Sequence, residues 1–130
     1  MVKKIIKYKL TNPQLFKCQI IEYIRKFDTF CFLDSNSLEN DNSTFDYLVA
    51  FSKSKEINEV DNSFSSLNKL IYNNQDWVFG CLTYDLKNNI EHLSSCNNDF
   101  HHFPLLHFFI PQIILKVKGS SLTILSSLQF

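Results

Sequence analysis

The stretch "TFCFLDSNSLENDNSTFDYLVAFS" (residues 29–52) decides the fold. Residues 29–35 are rich in aromatic and apolar side chains and suit a pleated, half-buried surface. The polar run "SNSLENDNST" (35–44) has the composition of a turn or loop. "FDYLVAFS" (45–52) returns to strand-forming residues. Two apolar runs joined by a polar loop predict an antiparallel pair.

Working outward from this pair, "VKKIIKYKL" (2–10) alternates as a strand does and offers Val2, Ile5 or Ile6, Tyr8 and Leu10 to a core. Its lysines suit a solvated edge strand. "TNP" then marks a helix start. Asn12 can cap, and Pro13 fits the first helical position, where a missing N–H costs nothing. The helix is expected to run to about Phe27. Phe16, Ile20, Tyr23, Ile24 and Phe27 form its apolar stripe, and Glu22 and Lys26 an i,i+4 pair. The charged stretch "KSKEINEVDN" (53–62) leads into a second helix from about Ser63 to Asn73, with Phe64, Leu67, Leu70 and Ile71 as its stripe.

"WVFGCLTY" (77–84) has apolar residues on both parities, which predicts a strand covered on both faces. Gly80 within it marks close approach of another backbone, a bulge or a ligand. "LKNNIEHL" (86–93) reads as a short helix and "SSCNNDFHH" (94–102) as a loop. Residues 105–110 and 113–117 read as strands separated by Pro111. Gly119 supplies a turn, and "SLTILSSL" (121–128) a last strand. The expectation is one α+β domain over residues 1–130, mostly antiparallel, with two main helices.

Composition narrows the function. The chain has 130 residues, 45% apolar, with 13 basic and 13 acidic side chains. A zero net charge without a basic stripe argues against nucleic acid as a partner. No apolar run reaches the 18 or so residues that span a bilayer, and no signal-like segment opens the chain, so no membrane partner and a cytoplasmic location are expected. In that compartment Cys18, Cys31, Cys81 and Cys96 read as buried, reduced thiols.

The chemistry-bearing residues give no complete site. Cys96, Asp99, His101, His102 and His107 lie close in sequence, but their spacing lacks the paired-ligand pattern of a zinc site. Two glycines cannot build a phosphate cradle, and no nucleophile elbow is present. Asp34, Asp46, Asp85 and Glu91 are carboxylates without a sequence-visible partner. Asp85 precedes a helical segment and reads as its cap. No catalytic residue and no metal ligand is therefore assigned.

Four motifs, in order, carry a resemblance. "FGCLTYDL" (79–86) resembles the F-G-Y-L-S-Y-D-L signature in the N-terminal region of chorismate-using enzymes, the large components of anthranilate synthase and aminodeoxychorismate (para-aminobenzoate) synthase. Cys81 and Thr83 replace the usual Tyr and Ser. "FPLLHFFIPQIIL" (103–115) resembles their F-P-D-L-x-F-F-x-P segment. "FLDS" (32–35) and "NSTFDYLVA" (42–50) resemble two upstream segments that line a tryptophan pocket in family members.

The resemblance implies the non-catalytic N-terminal part of aminodeoxychorismate synthase component I, on the para-aminobenzoate branch of folate biosynthesis. The alternatives are the same region of anthranilate synthase component I, a stand-alone binding module for a tryptophan-like ligand, or a truncated remnant. Carried over by position, Asp34, Ser35, Ser43 and Phe45 are the ligand-binding residues. The implied partners are a separately encoded chorismate-binding catalytic domain and a glutamine amidotransferase. No cofactor is expected in this chain, because the family's Mg2+ and its ligands belong to the catalytic domain.

Overall fold

A computed structural model describes residues 3–36, 38, 43–59, 63–91 and 102–128. Six strands and two main helices make an α+β structure. The strands are β1 (Lys4–Lys9), β2 (Phe30–Asp34), β3 (Tyr47–Glu59), β4 (Phe79–Leu82), β5 (Leu106–Lys118) and β6 (Ser121–Ser126). The helices are α1 (Pro13–Ile24), α2 (Ser63–Asn74) and the short α3 (Lys87–Glu91), which follows a 3-10 turn at Tyr84–Leu86. Strand order is β1-β6-β5-β3-β2, with β4 paired to β5. The β1–β6, β2–β3, β4–β5 and β5–β6 pairs are all antiparallel. The chain divides into two compact units, one of residues 1–54 and 111–130, the other of residues 55–110.

In the first unit, α1 starts as expected. The Asn12 side chain accepts from Leu15 N at 3.0 Å, and Pro13 occupies the first turn. The helix ends at Ile24, three residues early, where Lys26 N and Phe27 N turn back to Tyr23 O and Ile24 O. Ile20 and Ile24 are buried against Tyr47, Val49, Phe51, Leu115, Val117 and Leu122, with Leu10, Phe16 and Phe27 packed around them. Tyr23 is half exposed, although its ring meets Phe27 and Phe51. The expected Glu22–Lys26 pair is absent. Glu22 reaches Arg25 at 3.4 Å, and Lys26 Nζ lies 5.4 Å from the Tyr23 ring centre, so a cation–π contact takes its place.

The antiparallel pair read from residues 29–52 forms in register, from Phe30 opposite Phe51 to Asp34 opposite Tyr47. Its second strand is longer than the apolar run. It continues through Lys53–Glu59, because ladder hydrogen bonds carry a charged segment on a solvated surface as readily as an apolar one. Every residue from Tyr47 to Phe51 is buried, so doubly covered strand character belongs to β3. At β1 the core contribution narrows: Ile5 and Tyr8 are exposed, Ile6 is half-buried and Leu10 reaches the core. An edge strand has a neighbour on one side only, and its side chains are covered less.

Pro111 does not divide β5. It is buried inside one 13-residue strand. Beside it, Ser52 on β3 adopts φ +60°, and its hydroxyl donates to Gln112 Oε1 at 2.6 Å. Proline is accommodated in a sheet where the ladder is irregular in this way. Gly119 makes the β5–β6 turn at φ +55°.

In the second unit, β4 has Phe79 buried but Gly80, Cys81 and Leu82 exposed. The expected cover on both faces is not found: β4 is four residues long and, among the described residues, pairs with β5 alone. Close approach at Gly80 is present: a Cβ there would lie 2.0 Å from His107 O and 2.6 Å from Phe108 Cα. Trp77 stacks on Phe79, and Phe79 packs on Phe109. On α2 only Leu70 of the expected stripe is buried; Phe64 and Ile71 are exposed and Leu67 half-buried. Asp85 does not cap. It lies exposed within the 3-10 turn, whose cap position is Thr83, and Thr83 is held by its own bonds to Leu105 O. Residues 94–101, including Cys96, Asp99 and His101, and also His92, fall outside the described residues. No described helix is long and apolar enough to cross a membrane.

Candidate functional site

The first unit holds a cavity of about 470 Å³, lined by Pro13, Gln14 and Lys17 of α1, by Asp34, Ser35 and Leu38 after β2, and by Asp46, Tyr47, Lys118 and Gly119. This is the size of a site for a small organic molecule. Each wall follows from local structure. Asp34 ends β2, and its Oδ1 accepts from Asn36 N at 3.0 Å, which turns the chain through the left-handed Asn36. Ser35 N bonds Asp46 O, and Asp46 N bonds Val117 O, so the ends of β2, β3 and β5 are tied together.

Two ion pairs flank the cavity. Lys17 Nζ meets Asp34 Oδ2 at 2.5 Å. Lys118 Nζ meets Asp46 Oδ1 at 2.9 Å, while Asp46 Oδ2 accepts from Gly119 N at 2.6 Å. The Lys17 hydrogen bond, with help from Asn36 N–H, holds the Asp34 carboxyl below its ordinary value against the opposing effect of burial. The Gly119 N–H and then Lys118 do the same for Asp46.

Between these pairs stands Tyr47. The residue is 5% exposed, its ring stacks on Phe32 at 5.6 Å, and Lys17 Nζ lies 5.7 Å from its centre. Its buried hydroxyl bonds to none of the described residues. Burial, then the negative charges of Asp34 and Asp46, push its ionisation up to about 12. It is therefore a neutral phenol near neutral pH, able to donate and to accept. A buried polar group without a partner costs on the order of 1–3 kcal/mol.

The remaining hydrogen-bonding capacity is mixed. Each lysine uses one of three donors, and each carboxylate has lone pairs to spare. The four charges sum to zero. Such a wall suits a small molecule that carries both a donor and an acceptor, and has no preference for a strongly charged one.

Of the residues matched by resemblance, Asp34 and Ser35 line this cavity. Ser43 and Phe45 do not: Ser43 Oγ donates to Phe45 O at 2.5 Å, and the pair braces the approach to β3. Sequence reasoning missed Lys17, Tyr47 and Lys118. The available signal was Tyr47 itself, a hydroxyl on the same strand parity as Val49 and Phe51. The two lysines could not be read, since they lie 30 and 71 positions from Tyr47 along the chain and join it at the cavity only through the fold.

Of the other candidates, His107 pairs with Glu56, Nε2 to Oε1 at 2.8 Å, and His102 lies at φ +49°. The thiols are less buried than expected, with Cys18 and Cys81 exposed and Cys31 intermediate, because β4 is uncovered beyond Phe79 and Cys18 faces away from the α1 core stripe. Among the described residues no group of three or more His, Cys, Asp or Glu is placed to hold a metal ion. No protein-family model, curated protein or solved structure matches the chain.

Proposed function

We propose that the first unit binds a free amino acid, or a closely similar zwitterion, in the Tyr47 cavity, as the non-catalytic N-terminal part of an aminodeoxychorismate synthase large component. The unpartnered Tyr47 hydroxyl carries the reading. The hydroxyl is closed to solvent, so its burial cost is offset if the ring turns toward the cavity and a ligand supplies the missing hydrogen bond. Lys17 and Lys118 would take the ligand carboxylate, Asp34 and Asp46 its ammonium, and Pro13, Leu38 and the Tyr47 ring supply apolar wall. The biosynthetic assignment rests on the four motifs, with the anthranilate branch as the alternative.

Titration calorimetry with L-tryptophan and other amino acids tests the cavity. Binding by the native chain and its loss in Tyr47→Phe, with the far-UV spectrum kept, is the expected result. No heat and no thermal shift at millimolar ligand removes the proposal. Co-expression with a chorismate-binding catalytic domain that lacks its own N-terminal region tests the enzyme assignment separately. Recovery of ammonia-dependent chorismate amination is expected, and failure to associate refutes it.

A second observation favours a protein partner of this kind. In the second unit Tyr84, Phe103 and Ile90 are 80%, 70% and 62% exposed. Where such side chains adjoin, they supply the kind of surface that another domain covers.

A further inference from the structure

The second unit places a thiol, an imidazole and a carboxylate in one row across three strands. Cys81 of β4 is the register partner of His107 of β5. Directly opposite residues of an antiparallel pair share a face, with Cβ atoms about 4.5–5.5 Å apart. On the other side of His107, Glu56 of β3 accepts at 2.8 Å. His107 thus has a thiol on its register partner and a carboxylate bonded to its ring, the pieces of an arrangement in which a base activates a thiol and is itself oriented by a third group.

Two neighbours hold this row in place. Gly80 brings the β4 backbone so close to His107 O that no Cβ fits, which fixes the spacing beside Cys81. The Phe109 ring, 6.4 Å from the imidazole centre, backs His107 on its apolar side. Cys81 itself is exposed and outside any disulfide. In the tautomer whose Nε2–H donates to Glu56, Nδ1 is the ring nitrogen left to accept a proton.

We propose that Cys81, His107 and Glu56 form a thiol-oxidation site for small hydroperoxides. In the reaction His107 Nδ1 takes the Cys81 proton as sulfur attacks the nearer peroxide oxygen. The S–O bond forms and the O–O bond breaks. Sulfur is oxidised by two electrons and the peroxide is reduced. The leaving hydroxide or alkoxide takes the proton back from His107 and departs as water or an alcohol. The product is the Cys81 sulfenic acid, reversible by a thiol.

The test treats the full chain with limiting hydrogen peroxide, traps sulfenic acid with a 1,3-dione reagent, and measures labelling of each cysteine by peptide mass spectrometry. Cys18, also exposed but on α1, is the internal reference. Cys81 is expected to label about a hundredfold faster than Cys18, the lower end of general-base assistance. His107→Gln is expected to bring Cys81 down to the Cys18 rate, and Glu56→Gln to lower it part of the way, with Cys18 unchanged in both. A Cys81 rate no greater than that of Cys18 overturns the proposal in the native chain, without any variant. So does a Cys81 rate that His107→Gln leaves unchanged or raises.

Discussion

The two units place their polar chemistry differently. The first packs α1 against β3, β5 and β6 and encloses an unsatisfied hydroxyl at Tyr47. The second leaves large apolar groups such as Tyr84 and Phe103 in solvent and aligns Cys81, His107 and Glu56 on an open face. A dense core can hold a costly polar group because many contacts over-determine its position. A short strand with one neighbour buries few of its residues, here Phe79 alone, so Cys81 stays accessible.

The largest test of this contrast compares one packing change in each unit. Ile24→Ala removes a side chain that is 1% exposed from the first core and should cost about 2–5 kcal/mol of its stability. Gly80→Ala should cost about 3 kcal/mol or more in the second unit, because the new methyl meets backbone that has no rotamer to yield. Fluorescence of Trp77, the single Trp, follows the second unit during denaturation. If the Gly80→Ala midpoint stays at the native value, close approach is not what glycine provides there.

Tyr47→Phe sharpens the comparison in the opposite direction. Deleting an unpaired buried hydroxyl should stabilise the ligand-free protein by about 1 kcal/mol while abolishing amino-acid binding. A destabilised variant in chemical denaturation would mean that the hydroxyl has a partner in solution. In a spectroscopic phenol titration the same variant should lack a phase that the native chain shows near 12. Folded-state ionisation is raised there, so the stability involved is complete below the ordinary tyrosine value of 10.0 and lost as pH rises through about 12.

Gly119→Ala isolates backbone conformation from space. Nothing lies within 4 Å of the new Cβ, so only the left-handed φ of +55° is penalised, at about 1 kcal/mol. A thermal-unfolding loss well above that would point to the Asp46–Gly119 hydrogen bond as well.

The smallest effect is electrostatic. Asp34 and Asp46 ionise below their ordinary value of 3.8. Their contribution is present above that value and is lost as pH falls through the lower folded-state values. The unfolding midpoint should therefore drop in acid, and more steeply in the native chain than in Asp46→Asn. Both carboxylates are partly solvated, which keeps the difference small.

Local pattern was enough for much of the fold. Asn12 and Pro13 start α1 because capping needs only adjacent residues. The pair at 29–52 and the turn at Gly119 are equally local. Element ends were less legible. Pro111 lies inside β5, and β3 runs on through charged residues, because the neighbouring strand and the left-handed Ser52 decide where a ladder continues.

The candidate sites divide along the same line. Asp34 and Ser35 were legible as a segment, and Gly80 as a point of close approach. The lysines that join Tyr47 at the cavity were not, nor was the setting of His107 beside Cys81 and Glu56. By itself the sequence determined which short segments become helix, strand and turn, since capping, alternation and turn chemistry act over a few residues. Only the tertiary structure decided which side chains meet. Strand pairing brings Lys17 to Asp34, Lys118 to Asp46 and Glu56 to His107 across long separations, and no local preference encodes those distances.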